Sequence, residues 1–380
     1  MTDRFRGTYT VMVTAFDDDG AVDLDTQARF TDWQVREGIH GLIPLGSTGE
    51  FLSMTAQERR DVARCVIDAA AGRVPVLIGA GAERTEDVIA NCEMAQGLGA
   101  DGVMIIPPFY STPTEDELVH HYTRIAAATD LPIMIYNNPA TANIDMTPAI
   151  VARLAQIPGV DYIKESTMDV TRVRDIIDLA GDKISVFGGI MGFESFVEGA
   201  DGWVAVGSNI LPAASARLFT LTADDQDYDA ARALYRSMLP VIRLVGGHRY
   251  VSATKAALGL LGFADPAQKH FGLEPAVAGF DDTLLRYGVD HGPYLVLPLL
   301  GPSSARQAPA MLVDMLLNPV PYLVEQPEAS ALLAIDALQQ FAPRIEPYPT
   351  LRDKAEDPYL FFRNMHLQGL NRDAAYGPDE

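Results

Sequence analysis

From residue 8 to about 210, short apolar β-rich runs alternate with longer amphipathic segments, and this repeat limits the possible fold more than any other feature of the chain. The runs are TYTVMVT (8–14), GLIPLG (41–46), VPVLIGA (74–80), GVMIIPP (102–108), PIMIYN (132–137), VDYIKES (160–166), KISVFGG (183–189) and GWVAVGS (202–208). Nearly continuous apolarity over a few residues is what a strand buried on both faces requires. Between them lie segments such as DLDTQARFTDWQVREG, TAQERRDVARCVIDAAAG, TEDVIANCEMAQGLGA and TEDELVHHYTRIAAATD. Several open on Asp or Thr with acidic residues following, groups that satisfy first-turn N–H donors and complement the helix dipole. Strands alternating with helices predict a parallel sheet with crossovers, and eight such units make a (β/α)8 TIM barrel. A doubly wound sheet would show fewer strands and a Gly-rich phosphate turn after the first, and that turn is absent. Helical segments near 211–222, 226–243 and 248–261 exceed what barrel closure needs and predict an appended C-terminal helical layer.

Composition excludes several partners. The formal net charge of −22 disfavours nucleic acid and anionic membrane surfaces, both of which need a basic footprint. Cys65 and Cys92 lie in separate helical segments, without metal-ligand spacing or a disulfide framework, which fits a reducing compartment. The stretch MTDRFRGTYTVMVTAFDDDG carries no signal-peptide core or lipid-anchor cysteine, and no apolar run reaches the roughly 20 residues that span a bilayer. The expected location is the cytoplasm, with no membrane partner.

In a barrel the chemistry gathers at the C-terminal ends of the strands. Strand two ends in GSTGE, strand four in PFYS, strand five in YNNP and strand six in KEST. Lys164 is the costly residue, since an amine in a buried strand must be paired or neutralised. It either caps the strand beside Glu165 or acts as a nucleophile. A neutral lysine in a low-dielectric barrel can attack a ketone to form a Schiff base, an electron sink for making or breaking the adjacent C–C bond. Tyr136, at the end of the neighbouring strand, can shuttle the protons that step needs. The turn at Ser47, Thr48 and Gly49 offers hydroxyls and backbone N–H groups to a carboxylate, so the expected substrate is a small-molecule 2-oxo acid. Each element also has an ordinary reading: a helix-capping turn, an interface tyrosine at 136, a packing aromatic at Tyr110.

These residues resemble the dihydrodipicolinate synthase and N-acetylneuraminate lyase family of class I, lysine-dependent aldolases. The likeness runs from about residue 6 to about 262 and rests on GSTGEFLSMTAQER, PPFY, YNNP, IKES with Lys164 28 positions after Tyr136, GWVAVGSNILP and YVSATKAALGLLG. It implies that Lys164 is the Schiff-base lysine, that Tyr136 relays protons and that Ser47 and Thr48 serve as hydroxyl and carboxylate-binding positions. It implies that Tyr110 is the aromatic that a neighbouring subunit contributes to a relay, in a homotetramer built from dimers; the expected protein partner is a second copy of the chain, in a dimer or tetramer. Ser47, Thr48, Gly49, Thr141, Gly189 and Val206 make up the expected substrate-binding set, with no cofactor and no metal. Dihydrodipicolinate synthases usually place an arginine two residues after the proline of YN-x-P, where it meets the second substrate's carboxylate. Here YNNPATANIDM puts Thr141 there, and a threonine cannot supply that charge.

The expectation is therefore a lyase of the pyruvate-dependent aldolase or dehydratase type, acting on a sugar-derived or aromatic 2-oxo acid. The alternatives are a 4-hydroxy-tetrahydrodipicolinate synthase and a non-catalytic carboxylate-binding barrel. A metal-dependent aldolase lacks the His/Asp/Glu cluster it would need at the strand ends.

From Phe263 onward the chain changes character. The stretches GLE…F, YGV, GPYLVLPLLGPSSAR and DPYLFFRNMHLQ, in that order, resemble the C-terminal part of the VacJ/MlaA lipoproteins, which handle phospholipid asymmetry at the Gram-negative outer membrane. The expected organisation is a barrel over 1–210, a helical layer over 211–262 and a largely helical, Pro-rich tail over 263–380. The alternative for the tail is a fragment of a phospholipid-asymmetry lipoprotein. Helices are expected in SSARQAPAMLVDMLL and EASALLAIDALQQF, and YLVLPLLG is expected to be covered.

Overall fold

The computed structural model describes residues 5–17, 20–245 and 250–260. The expectations for residues 263–380 lie outside the described residues. Contacts divide the chain into two compact units; the first includes Met1–Arg232 and the second includes Ala233–Gly262.

The first unit holds eight parallel strands: β1 (Gly7–Val11), β2 (Gly41–Ile43), β3 (Leu77–Gly79), β4 (Gly102–Ile105), β5 (Ile133–Asn137), β6 (Val160–Glu165), β7 (Ser185–Gly188) and β8 (Gly202–Ala205). Their order, β2-β1-β8-β7-β6-β5-β4-β3, places every strand beside its sequence neighbour. A parallel bridge between Leu42 and Val76 joins the two ends of the sheet. The fold is a (β/α)8 barrel. Each of the eight apolar runs overlaps one strand; β1 starts one residue ahead of its run, and in most of the others the C-terminal residues of the run leave the ladder for the loops of the mouth.

The helices are α1 (Leu24–Arg36), α2 (Ala56–Ala70), α3 (Thr85–Leu98), α4 (Glu115–Ala126), α5 (Pro148–Leu154), α6 (Thr171–Ala180), α7 (Gly192–Val197) and α8 (Pro212–Phe219). Four of the eight start on the side-chain caps that the sequence signals, whereas α3, α6, α7 and α8 have no side-chain cap. Asp23 caps α1, and Thr55 and Thr114 form reciprocal capping boxes with Glu58 and Glu117. Thr147 caps α5 ahead of Pro148, whose missing N–H costs nothing in the first turn.

Period-two alternation sorts the strand side chains into two faces. Tyr9, Val11, Ile43, Leu77, Met104, Met134, Tyr162, Phe187 and Val204 fill the barrel interior. The other face meets the helices: Thr8 Oγ1 donates to the Ser215 carbonyl at 2.9 Å and Thr10 Oγ1 to Gln34 Oε1 at 2.7 Å. The lower interior is aromatic. Phe5 stacks on Tyr162 with ring centroids 4.9 Å apart, and Tyr9 meets the edge of Phe187 at 5.4 Å. The Phe5 N–H donates to the Tyr162 hydroxyl at 3.0 Å. Burial pushes the Tyr9 phenol up, so it remains a neutral filler. Where β2 and β3 meet, a Cβ on Gly79 would collide with the Leu45 carbonyl, and only glycine permits that approach.

In the second unit, α9 (Tyr228–Val245), which begins in the first, is followed by α10 (Tyr250–Leu260). Buried Tyr235, Met238, Val241 and Val245 recur at helical spacing along α9. The expected helical layer is thus helical wherever it is described, apart from short connections. No helix among the described residues is long and apolar enough to cross a membrane.

Candidate active site

Tyr136 and Lys164 are register partners on adjacent strands, so their side chains stand side by side on the inner face, above the aromatic layer. Lys164 is 5% exposed and its Nζ lies 3.9 Å from the centroid of the Tyr136 ring. Among the described residues no ion pair or hydrogen bond involves its amine. The alternative pairing with Glu165 is not made, because successive residues of a strand face opposite ways. Glu165 points toward the helices, where its oxygens accept from Asn137 Nδ2 at 2.9 Å and from the Thr167 N–H at 2.8 Å. Burial pushes the Glu165 carboxyl up, and those hydrogen bonds oppose the shift.

The GSTGE segment at the end of β2 forms a short 3-10 turn, Ser47–Gly49, joined to a second one, Phe51–Ser53, at Glu50 in the left-handed region with φ of 58°. Thr48 and Gly49 are buried and Ser47 half-buried. The turn is fixed from behind, since Thr14 Oγ1 donates to the Gly49 carbonyl at 2.8 Å. The N–H groups of Ser47 and Thr48 open the first turn, and such leading donors have no partner within the turn itself.

Gly189 follows β7. Its N–H donates to the Glu165 carbonyl at 2.7 Å, and a Cβ there would collide with Ser166 Oγ. Val206 follows β8 and packs on the interior cluster. Its carbonyl accepts from the Asn209 backbone at 3.0 Å and from Asn209 Nδ2 at 2.9 Å. Thr141 is exposed in the β5–α5 loop, its N–H and hydroxyl both turned to the Asn138 carbonyl at 3.0 and 3.3 Å. Tyr110 is 86% exposed in the β4–α4 loop. Its loop is nonetheless rigidly held: the Glu83 carboxylate accepts from the N–H groups of Phe109, Tyr110 and Ser111, and Asn143 Nδ2 donates to the Tyr110 carbonyl at 2.8 Å. These hydrogen bonds hold the Glu83 carboxyl below its ordinary value against a counteracting desolvation. Among the described residues no group of three His, Cys, Asp or Glu is arranged to hold a metal ion.

Behind the strands a polar network ties the β5–α5 loop down. Asn137 Nδ2 donates to Asp145 Oδ1 at 3.2 Å, and Arg172 grips Asp145 through two contacts of 2.6 Å. The hydrogen bonds from Arg172 hold the Asp145 carboxyl below its usual range. A carboxyl with a depressed native pKa contributes stability above its unfolded value, near 4, and loses it as pH falls through the native one. Asp145→Asn is therefore expected to cost about 1–2 kcal/mol near neutral pH, after discounting for its partial exposure, and progressively less below about pH 4. Urea midpoints of both proteins across that range check this; a difference that persists undiminished in acid would contradict it.

Two inward or mouth-facing residues escape a reading of the sequence. Ser166 lies two positions beyond Lys164, and its buried Oγ has no hydrogen-bond partner among the described residues. Period-two spacing from Lys164 is a signal that finds it. Asn138 donates from Nδ2 to the Tyr136 hydroxyl at 2.8 Å, a contact created by the backward fold of the loop and invisible to spacing.

The model of the dihydrodipicolinate synthetase family matches residues 4–278. The chain belongs to that family. A 4-hydroxy-tetrahydrodipicolinate synthase of Syntrophobacter fumaroxidans is 36% identical over 259 residues, covering 68% of this chain and 88% of that protein. Among solved structures, the chloride-inhibited dihydrodipicolinate synthase of Acinetobacter baumannii in complex with pyruvate superposes with a TM-score of 0.70 at 29% identity, covering 75% of this chain and 98% of that one. A monomeric dihydrodipicolinate synthase variant gives 0.69, also at 29% identity, covering 76% and 98%. Members of the dihydrodipicolinate synthetase family are class I lyases, and this chain is an enzyme of that class. A model of MlaA lipoproteins matches residues 249–373, overlapping the end of the barrel family's match.

Proposed function

We propose that the protein forms an imine between Lys164 and pyruvate, or a pyruvate-like 2-oxo acid, and uses it to make or break the bond at the adjacent carbon. The observation that carries this is the Lys164 amine, buried and in no ion pair among the described residues, against the Tyr136 ring at 3.9 Å. Lys164 Nζ adds to the ketone carbon; the nitrogen gives up one proton and the ketone oxygen takes one, through Tyr136, to form the carbinolamine. A further proton on that oxygen lets it leave as water while the nitrogen lone pair closes the C=N bond. The resulting cation withdraws electrons, so a proton or a carbon substituent can leave the neighbouring carbon and an enamine remains. Ser47, Thr48 and Gly49 are assigned to the substrate carboxylate, with Gly189 and Val206 bordering the same mouth. The A. baumannii enzyme, bound to pyruvate, supports the choice of acid.

The second partner is read from the β5–α5 loop. Thr141 is uncharged, its hydroxyl engaged with the Asn138 carbonyl, which favours a sugar-derived or aromatic 2-oxo acid over a dicarboxylate pair. The name of the S. fumaroxidans relative favours the other reading, 4-hydroxy-tetrahydrodipicolinate synthase. One assay separates them. Condensation of pyruvate with aspartate semialdehyde is expected to be weak or absent, whereas 2-keto-3-deoxy sugar acids release pyruvate or lose water; robust condensation would establish the synthase reading.

Self-association is part of the proposal. Leu52 is 55% exposed and Tyr110 86%, and they flank the contact of buried Phe51 with half-buried Phe109 at 6.3 Å, an apolar surface that a second copy would cover. One solved relative is a monomeric variant, so the barrel by itself does not dictate assembly. The free thiols of Cys65 and Cys92 accord with a reducing cytoplasmic setting. Residues 263–380 take no part in the reaction as proposed.

A further inference from the structure

We propose that Asn138 is a positioning residue for the proton relay: its side-chain amide holds the Tyr136 phenol oxygen so that the phenol's own hydrogen is directed to the substrate. This rests on the reading of Tyr136 as the relay and adds a second residue to it.

Both ends of the contact are fixed. Tyr136 stands on β5, 7% exposed, with the Lys164 amine over its ring face. Asn138 follows β5, and its carbonyl accepts from the N–H groups of Thr141 and Ala142 at 3.0 and 2.9 Å, closing a turn. That turn carries the side chain back over the strand end, where Nδ2 donates to Tyr136 Oη at 2.8 Å. An amide N–H is a donor that does not ionise. It occupies one lone pair of the phenol oxygen, leaving the O–H free to donate to the ketone or carbinolamine oxygen. When that proton has gone, the N–H stays in place against the charge on oxygen, which is the preorganised stabilisation that an active site supplies. The Lys164 amine cannot do this, since it meets the ring face and is itself consumed in the imine. Tying down the loop falls to the backbone of Asn138, which a side-chain substitution leaves intact.

The test needs pyruvate alone. In deuterated water the enamine takes up deuterium at the methyl carbon, and proton NMR follows loss of the methyl signal. Asn138→Leu removes the donor at similar volume and is expected to slow exchange on the order of tenfold at saturating pyruvate, with the half-saturating concentration little changed. Asn138→Asp, which turns an acceptor toward the phenol and diverts its hydrogen, is expected to slow it further. In a Tyr136→Phe background, Asn138→Leu is expected to add nothing, because its effect passes through the missing hydroxyl. Circular dichroism and borohydride trapping of the imine at equilibrium confirm that each variant is folded and binds pyruvate. Exchange at the original rate in both Asn138 variants, or losses that multiply in the double variant, overturns the inference while leaving the relay in place. Undiminished exchange in Tyr136→Phe overturns the relay and this inference together.

Discussion

Borohydride added to the protein in the presence of pyruvate is expected to leave a single reduced adduct, on Lys164, and Lys164→Ala is expected to abolish both the adduct and turnover, a loss of at least about 10³-fold. The size follows from covalent catalysis: without the amine there is no imine, and without the imine no electron sink. Lys164→Arg is the sharper control. It keeps a cation in the barrel, so any effect of charge alone survives, but a guanidinium does not deprotonate to a nucleophile at accessible pH. The surroundings make the substitution informative. Lys164 is 5% exposed, between the Tyr162 layer below and Ser166 above, with its amine over the ring of Tyr136. Peptide mass mapping locates the adduct. Equal labelling of Lys164→Arg at another lysine would move the nucleophile elsewhere.

Tyr136→Phe is expected to reduce turnover by about 10²-fold or more while leaving pyruvate binding largely intact. The phenyl ring keeps the face on which Lys164 Nζ rests at 3.9 Å, and the neighbouring strand register is untouched. What goes is the hydroxyl, and with it the route by which a proton moves between the nitrogen and the oxygen of the carbinolamine. The free amide of Asn138 has then lost its partner, a modest stability cost that circular dichroism separates from the kinetic one. A fall in pyruvate affinity with turnover per bound substrate unchanged would make Tyr136 a binding residue instead of a relay.

The chain's eight apolar runs and their capped helices announced the barrel, and the same alternation placed Tyr136 and Lys164 at neighbouring strand ends. That much is legible because period and length are local: a buried strand is apolar throughout, a helix repeats near every fourth residue, and a Thr three residues before a Glu opens it. The GSTGE turn was legible as a polar turn, and Thr141 as a missing charge. The networks that hold these groups were not. Glu83 gathers the N–H groups of a loop 26 to 28 residues away, Arg172 grips Asp145 across 27 residues, and Asn209 reaches Val11 over 198. Such partners share no period and no motif, since their meeting depends on how strands and loops close in space.

Residue type and distance from a strand end are written in the chain, and they are enough to bring Lys164, Tyr136 and the GSTGE turn forward as candidates at the mouth of the barrel. Their surroundings come from the closed fold: Glu165 faces the helices and leaves Lys164 to Tyr136, Asn138 turns back onto the phenol oxygen, and Tyr110 stands almost wholly exposed on a loop fixed from beneath. Residue type fixes what a side chain can donate, accept or attack, whereas its partner is set by closure of the sheet, which brings together groups far apart along the chain and screens them from water at once.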